Sequence, residues 1–199
     1  MNGLSQPAVR QERLFRQTPN TTMIPSPYAF FTWNSRDKVR YRAVTELAQE
    51  AFLRFGEYRE FIGRLMIRDD VITGLLIEPN HAEDDLAGFI QVGLIPDEEG
   101  HILGNILAIA IAPRCRFQGL GPVLLRWAVE QIQYLHQSTP MKCIQLTVAP
   151  DNEPAVRLFS RFGFSFVEDE VIHHYASGVQ ACDMFRPVFL PGEDPKSSR

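Results

Sequence analysis

A loop rich in glycine and arginine is the segment of this sequence best suited to bind a polyanion. Gly119 and Gly121 follow the apolar run at 106–113, and Arg114 and Arg116 lie in the same loop. Glycine lets the backbone turn sharply and approach a ligand closely, and the N–H groups of a helix N-terminus attract phosphate oxygens. The pattern predicts a diphosphate site. Two turn glycines in an ordinary strand–loop–helix connection are the alternative, which Gly-x-Gly taken alone favours.

Two segments of the chain, about 30 residues apart, carry a family resemblance. Residues 111–121, IAPRCRFQGLG, resemble the acetyl-CoA motif of the GNAT N-acetyltransferases, [QR]-x-x-G-x-[GA] after a strand that ends in proline. Residues 152–164, NEPAVRLFSRFGF, resemble the second motif of that family, N-x-x-A-x-x-[LF]-Y-x-[KR]-x-G-F. The similarity covers about residues 28–190 and is greatest to the ribosomal-protein alanine and N-terminal acetyltransferases.

The resemblance implies a site for acetyl-CoA. The strand end would pair with the pantetheine amides as if they formed an added strand, and the loop 116–121 would hold the diphosphate, with one donor lost at Pro122. Asn152 would hydrogen-bond the pantetheine arm, although a helix N-cap is an equally good interpretation of that residue. The cofactor residues implied in this way are Ile109, Ala110, Ile111, Arg116, Phe117, Gln118, Gly119, Leu120, Gly121, Asn152 and Phe159.

The sequence departs from the family pattern at two positions that matter for catalysis. Phe159 stands where the family usually has a tyrosine that is held to protonate the departing thiolate, so we expect it to pack beside the thioester. Thr147 stands where the alanine acetyltransferases typically carry a glutamate base, and threonine is no base at neutral pH. Replacement bases are sought among Glu57, Tyr58, His101, His173, His174, Tyr175 and Asp183.

Three of these residues are the catalytic candidates: His174, Tyr175 and Glu57. Tyr58, His173 and Tyr175 are the candidates for binding the acceptor, because the family places its acceptor slot beside the first two helices and the last hairpin. Histidine has a suitable pKa for proton transfer, but a histidine at a strand end is more often a surface residue. Cys115 is expected to pack rather than to react, and no cysteine or histidine spacing indicates a metal site.

A site without an obvious base favours a weakly basic acceptor. An α-amine, with a pKa of about 7.7 to 8.0, is partly neutral near neutral pH, whereas a lysine amine with a pKa of about 10.4 is almost fully charged. The resemblance implies transfer of acetyl from acetyl-CoA to a primary amine, on a peptide, a protein or a small molecule, by direct attack. A non-catalytic acyl-CoA-binding sensor or interaction module remains the alternative, and a binding protein without cofactor is disfavoured by the paired motifs.

Hydrophobic periodicity predicts the elements that position these residues. The order is β-αα-βββ-α-β-α-ββ, an α/β (mixed α+β) GNAT fold with a mostly antiparallel sheet of about seven strands and helices on both faces. Ser35 is the predicted N-cap of the first helix, and Phe61 is placed on the inner side of the second. The predicted strands are 28–32, 71–78, 86–95, 102–111, 143–148, 164–175 and 180–189, and the predicted helices include 58–67 and 154–162.

Composition limits the class of protein. The 199 residues carry a net charge of −4, 45% hydrophobic residues and three cysteines, which predicts one ordinary globular domain with reduced thiols in the cytoplasm. Nothing in the charge favours nucleic acid, and no apolar run of about 20 residues favours a membrane span. The expected organisation is a flexible arm at 1–27, the acetyltransferase domain at 28–190 and a disordered tail at 191–199. Whether the chain forms a homodimer is left open.

Overall fold

The computed structural model describes residues 24–79, 85–97, 99–167 and 173–188. Within them the chain forms an eight-stranded mixed sheet and four α-helices. The strands are β1 Ala29–Thr32, β2 Val71–Ile77, β3 Leu86–Pro96, β4 Ile102–Ile111, β5 Cys143–Val148, β6 Ser165–Phe166, β7 His173–His174 and β8 Gln180–Pro187. The helices are α1 Lys38–Ala51, α2 Arg59–Met66, α3 Leu120–His136 and α4 Glu153–Arg161.

One pair of neighbouring strands in the sheet, β4 and β5, is parallel. Its strand order is β1-β2-β3-β4-β5-β8-β6, with β7 added to β8. Every pairing is antiparallel except that of β4 with β5, which is parallel. A parallel neighbour requires a crossover connection, and α3 provides it. The predicted fold class, a mostly antiparallel mixed sheet with helices, is confirmed.

Helices cover both faces of the sheet. On one face, Trp127 of α3 packs against Phe30 with 4.9 Å between ring centroids, in the space that a side chain at Gly74 would fill. On the other face, buried Gln91 donates to the carbonyl oxygen of Ile62 in α2 at 3.2 Å. The sheet is therefore buried on both sides, which explains why β2 and β3 are apolar almost throughout.

Some local predictions are wrong, each for an identifiable reason. Ser35 does not cap α1, because the helix begins two residues later and Asp37 accepts a hydrogen bond from the N–H of Arg40 at 3.0 Å. Phe61 is 40% exposed rather than inside the core, because α2 buries Ile62 and Leu65 and turns Phe61 outward. Helical spacing alone does not fix which edge of an apolar stripe faces the sheet.

The C-terminal hairpin also differs from expectation. The segment 164–175 is not one strand: β6 and β7 are two short strands that both pair with β8, and residues 168–172 lie outside the described part of the chain. The predicted arm, apart from residues 24–27, and the predicted tail lie outside it as well. None of the helices described is both long and apolar enough to cross a membrane.

Candidate active site

An opening in the sheet forms the centre of the candidate site. β4 pairs with β5 only from Gly104 to Ile106, although both strands continue beyond that point. At the same place the register of β4 against β3 shifts, so that Leu107 is the extra residue of a β-bulge. A bulge bends its strand and increases the local twist. The strands therefore separate beyond Ile106 and leave an unpaired edge of β4 facing the gap.

A cavity of about 330 Å³ occupies this gap. Its lining is mainly apolar and aromatic and comes from β4, β5, α4, the connection between α1 and α2, and the hairpin before β8. The lining residues are Phe52, Phe55, Tyr58, Phe61, Asn105, Ile106, Leu107, Ala108, Ile109, Leu146, Thr147, Val148, Ala149, Asn152, Ala155, Phe159 and Tyr175. The volume lies at the lower end of what small-molecule sites usually have.

The glycine-rich loop leads from the end of β4 into the N-terminus of α3. Phe117 and Gly119 both adopt the left-handed conformation, with φ of 62° and 78°. No atom lies within 4 Å of the position that a Cβ of Gly119 would take, so the backbone there is open to a ligand. Gly121, by contrast, lets α3 approach Leu158 of α4, 3.3 Å from where a Cβ would stand. The loop thus has the exposed N–H groups and positive helix end that favour an anion.

The two arginines of this loop differ in their surroundings. Arg114 donates to the carboxylate of Glu78 at 2.5 Å and to the carbonyl oxygen of Leu86 at 3.2 Å. The charge of Arg114 is therefore partly offset by Glu78. Arg116 is exposed and is held by one hydrogen bond from Nε to the carbonyl oxygen of Ile111, at 3.3 Å.

The second motif places Asn152 and Phe159 on the cavity wall. The side-chain oxygen of Asn152 accepts a hydrogen bond from the N–H of Ala155 at 3.4 Å, which makes it the N-cap of α4. Phe159 is buried, with its ring 6.2 Å from that of Phe164. Ile109 also lines the cavity, whereas Ala110 is buried on the opposite side of β4.

Aromatic side chains form one wall of the cavity. Tyr175 packs against Phe55 with 4.6 Å between ring centroids, and Tyr58 lies between Phe52 and Phe61 at 5.4 Å and 5.7 Å. Burial, with smaller contributions from Tyr58 and Asp183, raises the pKa of Tyr175 to about 12. Burial also raises the pKa of Tyr58. Both hydroxyl groups are therefore protonated at neutral pH and can donate hydrogen bonds.

A polar cluster lies beside this wall, on β5 and β8. Thr147 and Asp183 are directly opposite each other in the strand register, and the hydroxyl of Thr147 donates to Oδ1 of Asp183 at 2.5 Å. Gln145 donates to Oδ2 of the same carboxylate at 2.7 Å, and Nε2 of His173 is 3.8 Å from Oδ2. Asp183 is 14% exposed, so its carboxylate is largely shielded from water, and the two hydrogen bonds fix its orientation.

The structure brings only some of the candidate catalytic residues to the cavity. Tyr58 and Tyr175 line it, whereas Glu57, His173 and His174 are exposed and lie outside its lining. His173 contacts the polar cluster through Asp183.

His101, also considered as a base, lies with Asp97 and Glu99 on the turn between β3 and β4. These three groups are close enough to share a metal ion, but the ammonium of Lys142 is already 3.2 Å from Asp97. Cys115 is buried and accepts from Arg114 at 2.9 Å, and all three cysteines are free thiols.

Sequence reasoning missed most of the aromatic wall and the pairing of Thr147 with Asp183. Apolar spacing predicts Phe55 on the inner face of the first helix, but α1 ends at Ala51 and Phe55 lies in a 3-10 turn, Leu53–Phe55, with Phe52 just before it. The contact of Thr147 with Asp183 joins residues 36 apart in the chain. The local signal was that both strands carry polar residues among apolar ones, Gln145 and Thr147 on β5 and Gln180, Asp183 and Arg186 on β8.

Comparison with known proteins identifies a family for most of the chain. A model of the acetyltransferase (GNAT) family matches residues 29–164. The spermine/spermidine N(1)-acetyltransferase of Bacillus subtilis (strain 168) is 33% identical over 87 residues, which are 42% of this chain and 55% of that protein. The chain thus spans about half or less of the length of the curated relatives it matches.

Two solved structures share the fold. Arabidopsis thaliana NAA60 in complex with acetyl-CoA superposes with a TM-score of 0.65 at 16% identity, over 81% of this chain and 98% of that one. The ribosomal-protein-S18-alanine N-acetyltransferase from Escherichia coli superposes with a TM-score of 0.63 at 19% identity, over 84% of this chain and 97% of that one. At these identities the likeness concerns the fold alone.

Proposed function

Because this chain belongs to the acetyltransferase (GNAT) family, we propose that it binds acetyl-CoA and transfers the acetyl group to a primary amine. The observation that carries the proposal is the opening between β4 and β5, where parallel pairing stops at Ile106 and a cavity begins. An unpaired strand edge inside a domain is otherwise unfavourable, because its N–H and C=O groups are left without partners.

The unpaired edge of β4 fits a ligand that carries amide groups. Between 107 and 111, alternate backbone N–H and C=O groups face the gap, and a pantetheine arm has two amides that can pair with them as an added strand. Asn152 uses its oxygen to cap α4, and its amide nitrogen is a donor that can serve the same arm. The two interpretations of Asn152 therefore hold together.

The N-terminus of α3 fits the other end of acetyl-CoA. The backbone at Gly119 is open, and the first turn of α3 supplies N–H groups except at Pro122. Arg114 and Arg116 are both exposed, but Arg114 forms an ion pair with Glu78, whereas Arg116 has a hydrogen bond to a carbonyl oxygen. We assign recognition of the diphosphate mainly to backbone groups and the helix dipole, with Arg116 as the charged contributor.

The reaction would be direct attack of a neutral amine on the thioester carbonyl, with release of CoA. Phe159 packs at the cavity wall and cannot donate a proton. Tyr175 faces the same cavity and, with a pKa of about 12, keeps its proton at neutral pH. Since this pKa is well above that of a free thiol, about 8.5, we assign Tyr175 to donating a hydrogen bond to the departing thiolate, which takes its proton from solvent.

The acceptor in this proposal is an α-amine of a peptide or protein, or a small amine. The aromatic wall of Phe55, Tyr58 and Tyr175 suits the apolar part of such a molecule. The protonated amine can also form cation–π contacts with these rings before it loses a proton. The free thiols support a cytoplasmic location as part of the same proposal.

Calorimetric titration of the purified protein with acetyl-CoA tests the proposed function, using Gly119→Glu as the disabling variant. The new carboxylate would stand where the diphosphate is expected, so affinity should fall by about 100-fold or more. Gly100→Glu is a matched control, since Gly100 also has a positive φ, of 86°, and an open surrounding, but lies in the turn between β3 and β4. The control should bind as the wild type does.

Turnover then separates an enzyme from a binding module. Acetyl-CoA consumption is followed with a short peptide that has a free α-amine, and with an N-terminally blocked peptide that carries one lysine. Binding together with acetylation of the first peptide supports the proposal. Binding without any acetylation would favour an acyl-CoA-binding module, and a folded wild-type protein that binds no acetyl-CoA would overturn the proposal.

A further inference from the structure

We propose that Thr147 and Asp183 form a proton relay for the acceptor amine, in which Thr147 contacts the amine and Asp183 acts through Thr147. This inference rests on the proposed function of the cavity between β4 and β5. The alanine acetyltransferases typically carry a glutamate base at the position of Thr147. In this proposal two residues on adjacent strands share the role of that base.

Geometry joins the carboxylate to the cavity. Thr147 is exposed and lines the cavity, and it stands opposite Asp183 in the register of β5 with β8. The 2.5 Å distance from its Oγ1 to Oδ1 of Asp183 is that of a charge-assisted O–H···O bond. The other oxygen of the carboxylate accepts from Gln145 at 2.7 Å, and Asp183 itself is not part of the cavity lining, so its link to the cavity runs through Thr147.

The direction of this hydrogen bond gives the hydroxyl of Thr147 its role. A threonine hydroxyl has one proton and two lone pairs. Because Asp183 is an acceptor when ionised, the single proton of Thr147 is directed to the carboxylate, and the lone pairs of the oxygen are left for a donor in the cavity. A substrate N–H is such a donor. Threonine is no base by itself, but here it connects the cavity with one.

Proton transfer through Thr147 to Asp183 conserves atoms and charge. The lone pair of the neutral amine forms the new N–C bond, and the nitrogen becomes positive. One N–H proton passes to Oγ1 of Thr147 while the proton of Thr147 passes to Oδ1 of Asp183, which becomes neutral. The C–S bond breaks, the thiolate takes a proton from solvent, and Asp183 returns its proton to solvent. The net products are the amide and CoA thiol.

Several titratable groups surround the carboxylate and share in any pH dependence. His173 of β7 lies 3.8 Å from Oδ2 of Asp183, Tyr175 precedes β8 in the hairpin, and Cys182 is the neighbouring residue on β8. Tyr58 faces Tyr175 from the connection between α1 and α2. No histidine in the described part of the chain belongs to the cavity lining, so we assign the contact with the amine to Thr147.

A merely structural cross-strand pair is the alternative explanation, and the chain offers a matched control for it. Gln145 lies two residues from Thr147 on the same strand and donates to the same carboxylate, but it is not part of the cavity lining. If the cluster only holds β5 to β8, removing either donor should have the same effect. If Thr147 relays a proton, the two removals should differ.

The experiment compares Thr147→Val, Thr147→Ser, Asp183→Asn and Gln145→Met in acetylation of the α-amine peptide. Thr147→Val and Asp183→Asn should each lower kcat about 10²-fold with the KM for acetyl-CoA unchanged, and their rates should keep rising to higher pH than the wild-type rate does. The double variant should be no slower than either single variant. Thr147→Ser should keep most of the activity, and Gln145→Met should stay within about threefold of wild type.

Each other outcome counts against the relay. It is overturned if Thr147→Val keeps the wild-type rate and pH profile, if Gln145→Met matches Thr147→Val, or if serine does not substitute for threonine. A wild-type protein that binds acetyl-CoA but acetylates neither peptide would also overturn it, while leaving the cofactor site in place. Failure of the wild type to bind acetyl-CoA in the calorimeter is separate, since that result removes the proposed function itself.

Discussion

The two sides of the cavity are built in different ways. The side assigned to acetyl-CoA is mostly backbone: the open edge of β4, the loop and the first turn of α3 form one continuous stretch, 104–121. The acceptor side consists of side chains from three distant segments: Phe55 and Tyr58 between α1 and α2, Thr147 on β5, and Tyr175 and Asp183 near the last hairpin.

This difference explains why one side is readable from short motifs and the other is not. A backbone site depends on local conformation, which Gly119 and the strand–loop–helix order express within a few residues. A site made of side chains depends on which strands pair and in what register, and that is decided by the whole domain. The cofactor side can therefore stay constant while the acceptor side varies.

The largest expected effect within this comparison concerns Tyr175. Tyr175→Phe should lower kcat by about 10²-fold and leave the affinity for acetyl-CoA unchanged, because it removes a hydrogen-bond donor to the departing thiolate but keeps the ring against Phe55. Tyr58→Phe is the control, since it also removes a buried hydroxyl from the same wall. Steady-state kinetics give kcat for both variants. An equal decrease in kcat in both would show that Tyr175 has no role distinct from that of Tyr58.

The raised pKa of Tyr175 predicts how the reaction rate and the folding stability change with pH. A pKa raised to about 12 keeps the hydroxyl protonated while an α-amine becomes neutral, so the wild-type rate should not fall between about pH 8 and about pH 10 on account of this group. In the unfolded chain the tyrosine loses its proton from about pH 10 upward. Folding stability should therefore decline as pH rises above that value, and less so in Tyr175→Phe.

A smaller effect should distinguish the two roles of Asn152. Asn152→Ala removes the N-cap of α4, which costs about 1 kcal/mol of stability, and also a donor to the pantetheine arm, which should weaken acetyl-CoA binding about tenfold. Asp37→Ala removes the N-cap of α1, outside the cavity lining, together with an ion pair to Arg40, and should cost at least as much stability without loss of affinity. Equal affinities in the two variants, measured by calorimetry beside thermal unfolding, would leave Asn152 only its cap.

Particular residues show how far the sequence reaches. The bounds of β4 were predicted to the residue because its apolar run is closed by turn residues on one side and by Pro113 on the other. Asn152 was identified from its motif, and its capping bond is local. Phe61 was misplaced because an apolar residue on a helix edge can line a cavity as readily as a core.

Non-local contacts account for what the sequence missed. Arg114 was read as part of the phosphate loop, but its partner Glu78 lies 36 residues away on the body of the domain. The contact of Thr147 with Asp183 spans the same separation and follows from the pairing of β5 with β8. A sequence names the residue types in such contacts, and only the strand register decides which of them meet.

The smallest effect tests whether the cofactor side is as independent of side chains as the comparison implies. Phe117 is fully exposed and has a φ of 62°, a conformation that costs a bulky residue about 1 kcal/mol or more. Phe117→Gly should relieve that strain but adds freedom to the unfolded chain, so the net gain in stability should be below about 1 kcal/mol. Phe117→Ala removes the same ring and keeps the strain, so its thermal midpoint should match that of the wild type. If backbone groups hold the diphosphate, both variants should bind acetyl-CoA as the wild type does, and a shared loss of affinity would show that the ring itself contributes.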